Sequence, residues 1–136
     1  MFFLLFSYGS WAILILRLAL GLILVAHGWP KIKDLKQNGA NFNGMGFKPG
    51  MFWGTVAAVL EFFGGIAIII GLYTIPFAFL LAGQFVVIII WKWAKGMPLT
   101  GANGWELDLI ILAALVVLIA LGAGPYAFDR IFLGAF

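Results

Sequence analysis

Residues 50–93 read GMFWGTVAAVLEFFGGIAIIIGLYTIPFAFLLAGQFVVIIIWKW. Two apolar runs, roughly 50–71 and 76–93, fill this stretch, and each is long enough at ~1.5 Å per residue to cross ~30 Å of hydrocarbon as a helix. Only Leu72 to Ile75 lie between them, so the two predicted helices must turn back as an antiparallel hairpin. Stretches such as Ile66 to Ile70 and Leu109 to Leu121 are apolar on both faces, which disfavours the alternating strands of a membrane β-barrel.

A further run precedes the hairpin, from Trp11 to Gly28, interrupted only by Arg17 and His27; Pro30 is expected to end it. Another follows, roughly 105–122, with Glu106 and Asp108 in its first turn, where acidic groups suit the positive end of a helix dipole. Gly124 and Pro125 stop that run. The expected fold is therefore all-α: one domain over residues 1–136, an integral membrane bundle of four antiparallel helices spanning roughly 11–28, 50–71, 76–93 and 105–122. No basic segment precedes the first run and no small-x-small site closes it, so a cleaved signal peptide is not expected.

Composition points the same way. The chain has 136 residues, of which 65% are hydrophobic and only 10% charged, and its mean hydropathy is +1.15. A soluble domain carries about a quarter of its residues as charges. The formal charge of +3 comes from basic residues that neither cluster on a soluble helix nor interleave with a base-stacking motif, so no nucleic-acid partner is expected. With no cysteine and one histidine, thiol chemistry, iron–sulfur clusters, bis-histidine haem and the usual zinc or copper ligand sets all lack their residues, and no metal site is expected.

The hairpin arrangement places the loops 29–49 and 94–104 on one side of the membrane and both termini with the 72–75 connector on the other. All six lysines (Lys31, Lys33, Lys36, Lys48, Lys92, Lys95) fall on the loop side, against Arg130 opposite, so the loops are expected in the cytoplasm of a bacterial or archaeal cell. Trp29, Trp53, Trp91, Trp93 and Trp105 mark the lysine side, and Tyr8, Trp11, Tyr73 and Tyr126 the other, as two interfacial belts. Loop 29–49 is rich in Gly and Asn but also holds Phe42, Met45 and Phe47; it either lies back on the headgroups or bundle, or is a plain solvated loop.

Ionisable groups within spans are expensive and normally face the bundle interior with a partner. Counting from the span ends puts Arg17 roughly 9 Å deep and Glu61 roughly 15 Å deep from the same side, a gap of about 6 Å that an arginine side chain can bridge. A direct Arg17–Glu61 ion pair is therefore expected, with Gln84 at similar depth. This set reads either as a polar pocket for a ligand headgroup or a proton, or as a structural clasp that fixes helix register. His27, Glu106 and Asp108 lie near the lysine-side interface, where His27 could hydrogen-bond one of the two carboxylates or simply anchor in the headgroups; Glu106 and Asp108 point to different faces of one helix. Gly21 and Gly28 share a face with Arg17, and Gly64, Gly65 and Gly71 follow Glu61, so a close seam is expected between the first two spans.

Taken in order, Arg17-x3-Gly21-x5-His27-Gly28-x2-Lys31, then Glu61-x2-Gly64-Gly65-x5-Gly71-Leu72, then Gly104-Trp105-Glu106, then Gly122-x-Gly124-Pro125-Tyr126 with Asp129-Arg130, the chain resembles the DoxX family. The resemblance covers nearly its whole length. It implies a four-helix membrane protein related to a subunit of thiosulfate:quinone oxidoreductase and to members of membrane oxidoreductase complexes. The lack of cysteine means that any sulfur oxidation would belong to a partner subunit.

No phosphate-binding loop, nucleotide fingerprint or Ser-His-Asp set suggests a self-sufficient enzyme, and no catalytic residue is assigned. The leading expectation is a small subunit of a membrane redox complex, surrounded by lipid and partner subunits, without a covalent cofactor and with a polar pocket that could face a quinone. A scaffold or assembly subunit is the alternative. A small-solute or proton transporter is a further one, weakened by the lack of inverted repeats or helices broken in matching halves.

Overall fold

In the computed structural model, which describes residues 2–132, the described residues form six helices: α1 (Phe2–Lys33), α2 (Leu35–Met45), α3 (Gly50–Ile70), α4 (Thr74–Ala94), α5 (Glu106–Leu121) and α6 (Phe128–Phe132). No strand occurs among the described residues. Six helices thus stand where four were expected. Among the described residues, three segments are long and apolar enough to cross a membrane: Tyr8–Lys33 within α1, α3 and α4. At 16 residues α5 is shorter.

Two differences from the sequence reading have local causes. Pro30 does not end α1, which continues to Lys33. A proline removes one donor, so only the Ala26 carbonyl loses its intrahelical partner, and the helix can run on for its last turn. The break comes instead at Asp34, whose backbone leaves helical geometry at φ −143° and whose carboxylate accepts the Gln37 amide at 3.1 Å, starting α2 as an N-cap. The segment 29–49 is consequently not a loop but mostly helix. Gly46, with φ 99°, closes α2 through its amide bond to the Asn43 carbonyl.

α2 lies against the start of α3. Asn38 donates from Nδ2 to the Gly54 carbonyl at 2.7 Å, and Asn43 Oδ1 accepts the Gly50 amide at 2.7 Å. The Gly- and Asn-rich composition of this segment thus supplies small contact surfaces and bonds for exposed backbone rather than disorder. α1 packs on α3, α3 on α4 and α4 on α5, with α1 only lightly in contact with α5. Leu20, Leu24, Ile68, Ala78, Leu81, Phe85, Ile111, Leu115 and Leu118 form the interior. Outside it, Leu22, Phe79, Ile90, Ile110 and Leu121 are all more than half exposed. An apolar exterior around a thin apolar core is what a lipid-embedded bundle requires.

α3 ends at Gly71 (φ 82°), whose amide binds the Ala67 carbonyl at 2.7 Å, and after Leu72 and Tyr73 α4 begins at Thr74. Pro76 lies in the first turn of α4, where its missing donor costs nothing, so the helix starts two residues before that proline.

Candidate functional site: a lysine, glutamate and glutamine at a helix crossing

Glycine sets the geometry. A Cβ on Gly28 would stand 2.5 Å from the Phe62 amide nitrogen, one on Gly65 2.9 Å from the Gly21 carbonyl oxygen, and one on Gly21 2.7 Å from the Gly65 carbonyl oxygen. α1 and α3 therefore meet backbone to backbone, in a register that sets Gly28 beside Glu61. On the other side of α3, Gly64 admits Leu81 of α4, with 3.1 Å left to its Cδ1. Glu61 is thus caught between α1 and α4 and is 2% exposed.

Its partners come from those two helices. Lys31, three residues after Gly28 in the last turn of α1, extends back along the helix and places Nζ 2.7 Å from Glu61 Oε2 and 2.9 Å from Oε1. Gln84 of α4 donates from Nε2 to Oε1 at 2.7 Å. The opposite atom of that amide, Gln84 Oε1, is buried and accepts no hydrogen bond from the described residues. The amide orientation is fixed by its neighbour: rotated by half a turn, it would set its oxygen against the carboxylate.

Arg17 and Glu61, expected as an ion pair, are not partners. Arg17 is 1% exposed, but its Nε donates to the Ile68 carbonyl (3.1 Å), Nη2 to Ile69 (2.9 Å) and Nη1 to Ala123 (3.1 Å). Ile68 is seven residues beyond Glu61, or about 10 Å along α3. The expectation took Trp11 and Gly71 as equally deep; in the structure the Gly71 Cβ direction points at Arg17 Nη2 instead, at 3.1 Å. Arg17 therefore meets the last turn of α3, where carbonyls lack intrahelical donors. Gln84 and Glu61 are brought together, and Arg17 is not with them.

The second expected cluster also separates. Asp108 is paired with Lys92 of α4 at 2.7 Å, and the same Nζ donates to the Gly104 carbonyl at 3.2 Å. His27 and Glu106 are both exposed, and no hydrogen bond joins His27 to either carboxylate. The reason is helix order: α5 packs on α4, which supplies Lys92, while His27 lies on an outer face of α1.

Three residues with structural partners were not assigned them from sequence. Lys31 and Lys92 were counted only as interfacial charges, although a lysine one turn beyond a buried glycine has the reach to turn inward. Asp129, 5% exposed, accepts the Tyr73 amide at 2.8 Å and the Thr74 amide at 3.1 Å, while its own amide donates to the Gly71 carbonyl at 3.0 Å. Nothing near position 129 signals a cap on a helix fifty-five residues earlier. Gly71 permits the approach, since a Cβ there would lie 2.5 Å from that of Ala127.

Along α3, an apolar groove of about 570 Å³ is lined by Met51, Phe52, Thr55, Val56, Val59 and Leu60, with Leu80 of α4. None of Lys31, Glu61 and Gln84 lines it. Among the described residues no group of three His, Cys, Asp or Glu side chains is placed to hold a metal ion.

These features define an all-helical membrane protein in which Lys31, Glu61 and Gln84, and separately Lys92 and Asp108, meet side chain to side chain. The family model for DoxX matches residues 12–93, from α1 through α4, and the chain belongs to the DoxX family. The matched region contains Arg17, Lys31, Glu61 and Gln84. The chain is also similar to an uncharacterized protein of Haemophilus influenzae, with 28% identity over 131 residues covering 93% of this chain and 94% of that one. No solved structure matches it.

Proposed function

We propose that this protein is a small integral subunit of a membrane redox assembly, in which Lys31, Glu61 and Gln84 receive the polar headgroup of a membrane quinone. In this reading α5 is the fourth span: its 16 residues, with Trp105 before and Gly122 after, cover the lower end of the length a bilayer needs. The lysine side faces the cytoplasm.

The observation that carries the reading is a buried polar cluster, Lys31, Glu61 and Gln84, within a bundle whose exterior is apolar. A ligand with a small polar head and an apolar tail fits that combination. Glu61 and Gln84 would hold the head, and the tail would lie among the exposed apolar side chains of the exterior. A bound quinone would supply two-electron chemistry, with electrons delivered by another subunit. The chain's own contribution is to bind and orient the head, and to keep a carboxyl group and an ammonium within hydrogen-bond reach of it.

The test is photolabelling of the purified protein in lipid nanodiscs with a short-tailed azidoquinone. Labelling is expected on α3 and α4 around residues 56–84, and competition by unlabelled quinone should abolish it. Labelling scattered over the exterior and unaffected by competitor would leave the scaffold reading, which is favoured by the engagement of Arg17 and Asp129 with backbone groups of the same chain. Copurification in mild detergent then identifies the subunit that delivers the electrons.

A further inference from the structure

We propose that the groove on α3 seats one acyl chain of an anionic phospholipid from the lysine-side leaflet, and that Lys36 and Lys48 receive the headgroup of that lipid. The inference is independent of the quinone reading, since none of Lys31, Glu61 and Gln84 lines the groove. The groove has the depth of a single leaflet. Along α3 its lining runs from Met51 to Leu60, roughly 14 Å at ~1.5 Å per residue, close to half of the ~30 Å hydrocarbon core. Thr55 is the one lining residue with a polar side chain, so an acyl chain meets almost only apolar surface there. Met51, Phe52, Val59 and Leu80 are exposed on the exterior, so the chain enters from the side without moving a packed helix.

Charge at the mouth selects the lipid. Met51 is the outermost lining residue, and its Cα and Sδ both lie 3.1 Å from where a Cβ on Gly39 would stand, so α2 forms a shoulder at the outer end of the groove. Lys36 precedes Gly39 by one turn of α2, and Lys48 lies just before the start of α3 at Gly50. Both lysines are exposed, and neither is ion-paired among the described residues. Lys31 and Lys92 differ from them, because their charges are committed to Glu61 and Asp108. Lys33 adds a further exposed cation, while the one carboxylate of this stretch, Asp34, has an oxygen on the Gln37 amide. A chain seated in the groove brings its phosphodiester to the level of these lysines. In a zwitterionic lipid the choline cancels that charge, whereas in an anionic lipid it stands uncancelled and is attracted to the ammonium groups. Two such groups near one phosphodiester are expected to give a preference of about tenfold for the anionic lipid over a zwitterionic one with the same chains.

The experiment is native mass spectrometry of the full chain released from mild-detergent micelles that contain dioleoyl phosphatidylglycerol and dioleoyl phosphatidylcholine in equal amounts. The expected result is one retained phosphatidylglycerol per chain, favoured about tenfold over phosphatidylcholine. The paired change Lys36→Gln, Lys48→Gln should make the two lipids equal, and Val59→Trp, which fills the groove, should lower retention of both. Excess free glycerol phosphate should leave the bound lipid in place, because the acyl chain anchors it. Should Val59→Trp fail to fold, phosphatidylglycerol brominated near the headgroup end of its chains locates the lipid on the unaltered protein. It should quench tryptophan fluorescence more than phosphatidylcholine brominated at the same carbons, and the excess should vanish in Trp53→Phe, since the Trp53 ring lies 4.9 Å from that of the lining residue Phe52. Equal retention of the two lipids, a preference that survives loss of both lysines, or displacement by glycerol phosphate alone would overturn the proposal. Unchanged retention in a folded Val59→Trp, or a quenching excess that persists in Trp53→Phe, would place the lipid elsewhere and overturn it too. So would a lipid-free dimer broken by Val59→Trp, which would give the groove to a second copy of the chain.

Discussion

Arg17 and Asp129 grip the same three-residue connector from opposite ends. The guanidinium takes carbonyls from the last turn of α3, at 3.1 Å from Ile68 and 2.9 Å from Ile69. The carboxylate takes the amides of Tyr73 and Thr74 that open α4. Each charge thus sits at the helix end whose dipole it opposes in sign: a cation at a C-terminus, an anion at an N-terminus. Neither charge meets the other directly, yet together they satisfy backbone groups on both sides of the turn.

Removing the cap should loosen the hairpin. Asp129→Ala is expected to cost about 2 kcal/mol, the upper end for helix caps, because it frees two amides, one of them on the fully buried Thr74. Asp129→Asn should cost less, since one oxygen still accepts. Thermal unfolding of the two variants in a mild detergent ranks them; equal loss would show that the charge rather than the acceptor geometry carries the effect.

Arg17 and Glu61 should act independently. Arg17→Leu strands three carbonyls and is expected to cost at least ~2 kcal/mol. Because the two side chains lie in separate clusters, a double-mutant cycle of Arg17→Leu with Glu61→Leu should show coupling below about 0.5 kcal/mol. The cycle of Lys31→Met with Glu61→Leu should instead show strong coupling, as Lys31→Met leaves the buried Glu61 carboxylate without its cation. Strong coupling in the Arg17 cycle would mean that the register of α1 on α3 differs from the one described.

Glycine positions give a paired control. Gly28→Ala drives a methyl group into the backbone at Phe62 and should separate α1 from α3, lowering stability and disturbing the Lys31–Glu61 contact. At Gly83 nothing lies within 4 Å of the added carbon, so Gly83→Ala should be neutral or stabilising by up to about 1 kcal/mol through helix propensity alone. Resistance to unfolding in sodium dodecyl sulfate, followed by gel mobility, separates the two.

Membrane orientation can be read with single cysteines, since the chain has none of its own. Gln37 is exposed on α2, but Ala127 is fully buried against Gly71, so Tyr126, 43% exposed, is the better reporter for the other side. An impermeant maleimide on intact cells should label Tyr126→Cys and spare Gln37→Cys. The reverse pattern would invert the topology inferred from the lysines.

How far the sequence could be read depended on the range of the interaction. The hairpin at Leu72 to Ile75 was legible because two long apolar runs leave only a few residues between them. The closeness of α1 and α3 was legible in Gly21, Gly28 and Gly65, because small residues permit it whatever lies opposite. Register was not: Arg17 meets α3 about 10 Å from Glu61, where Lys31 takes its place, and no local pattern encodes that offset. α2 was hidden for a different reason. Its Asn and Gly residues have low helix propensity, and the bonds of Asn38 and Asn43 to α3 that offset it are visible only after the chain has folded.

The groove on α3 has one more consequence. Its walls include Met51, Phe52, Val59 and Leu80, all on the exterior of the bundle, so in a bilayer it opens sideways into the acyl chains and not upward into water. Whatever enters it arrives by diffusion in two dimensions, from a pool already concentrated in the lipid. Occupancy then follows the ligand's mole fraction among the lipids, and diluting the vesicles in buffer at a constant ligand-to-lipid ratio should leave the groove as full as before.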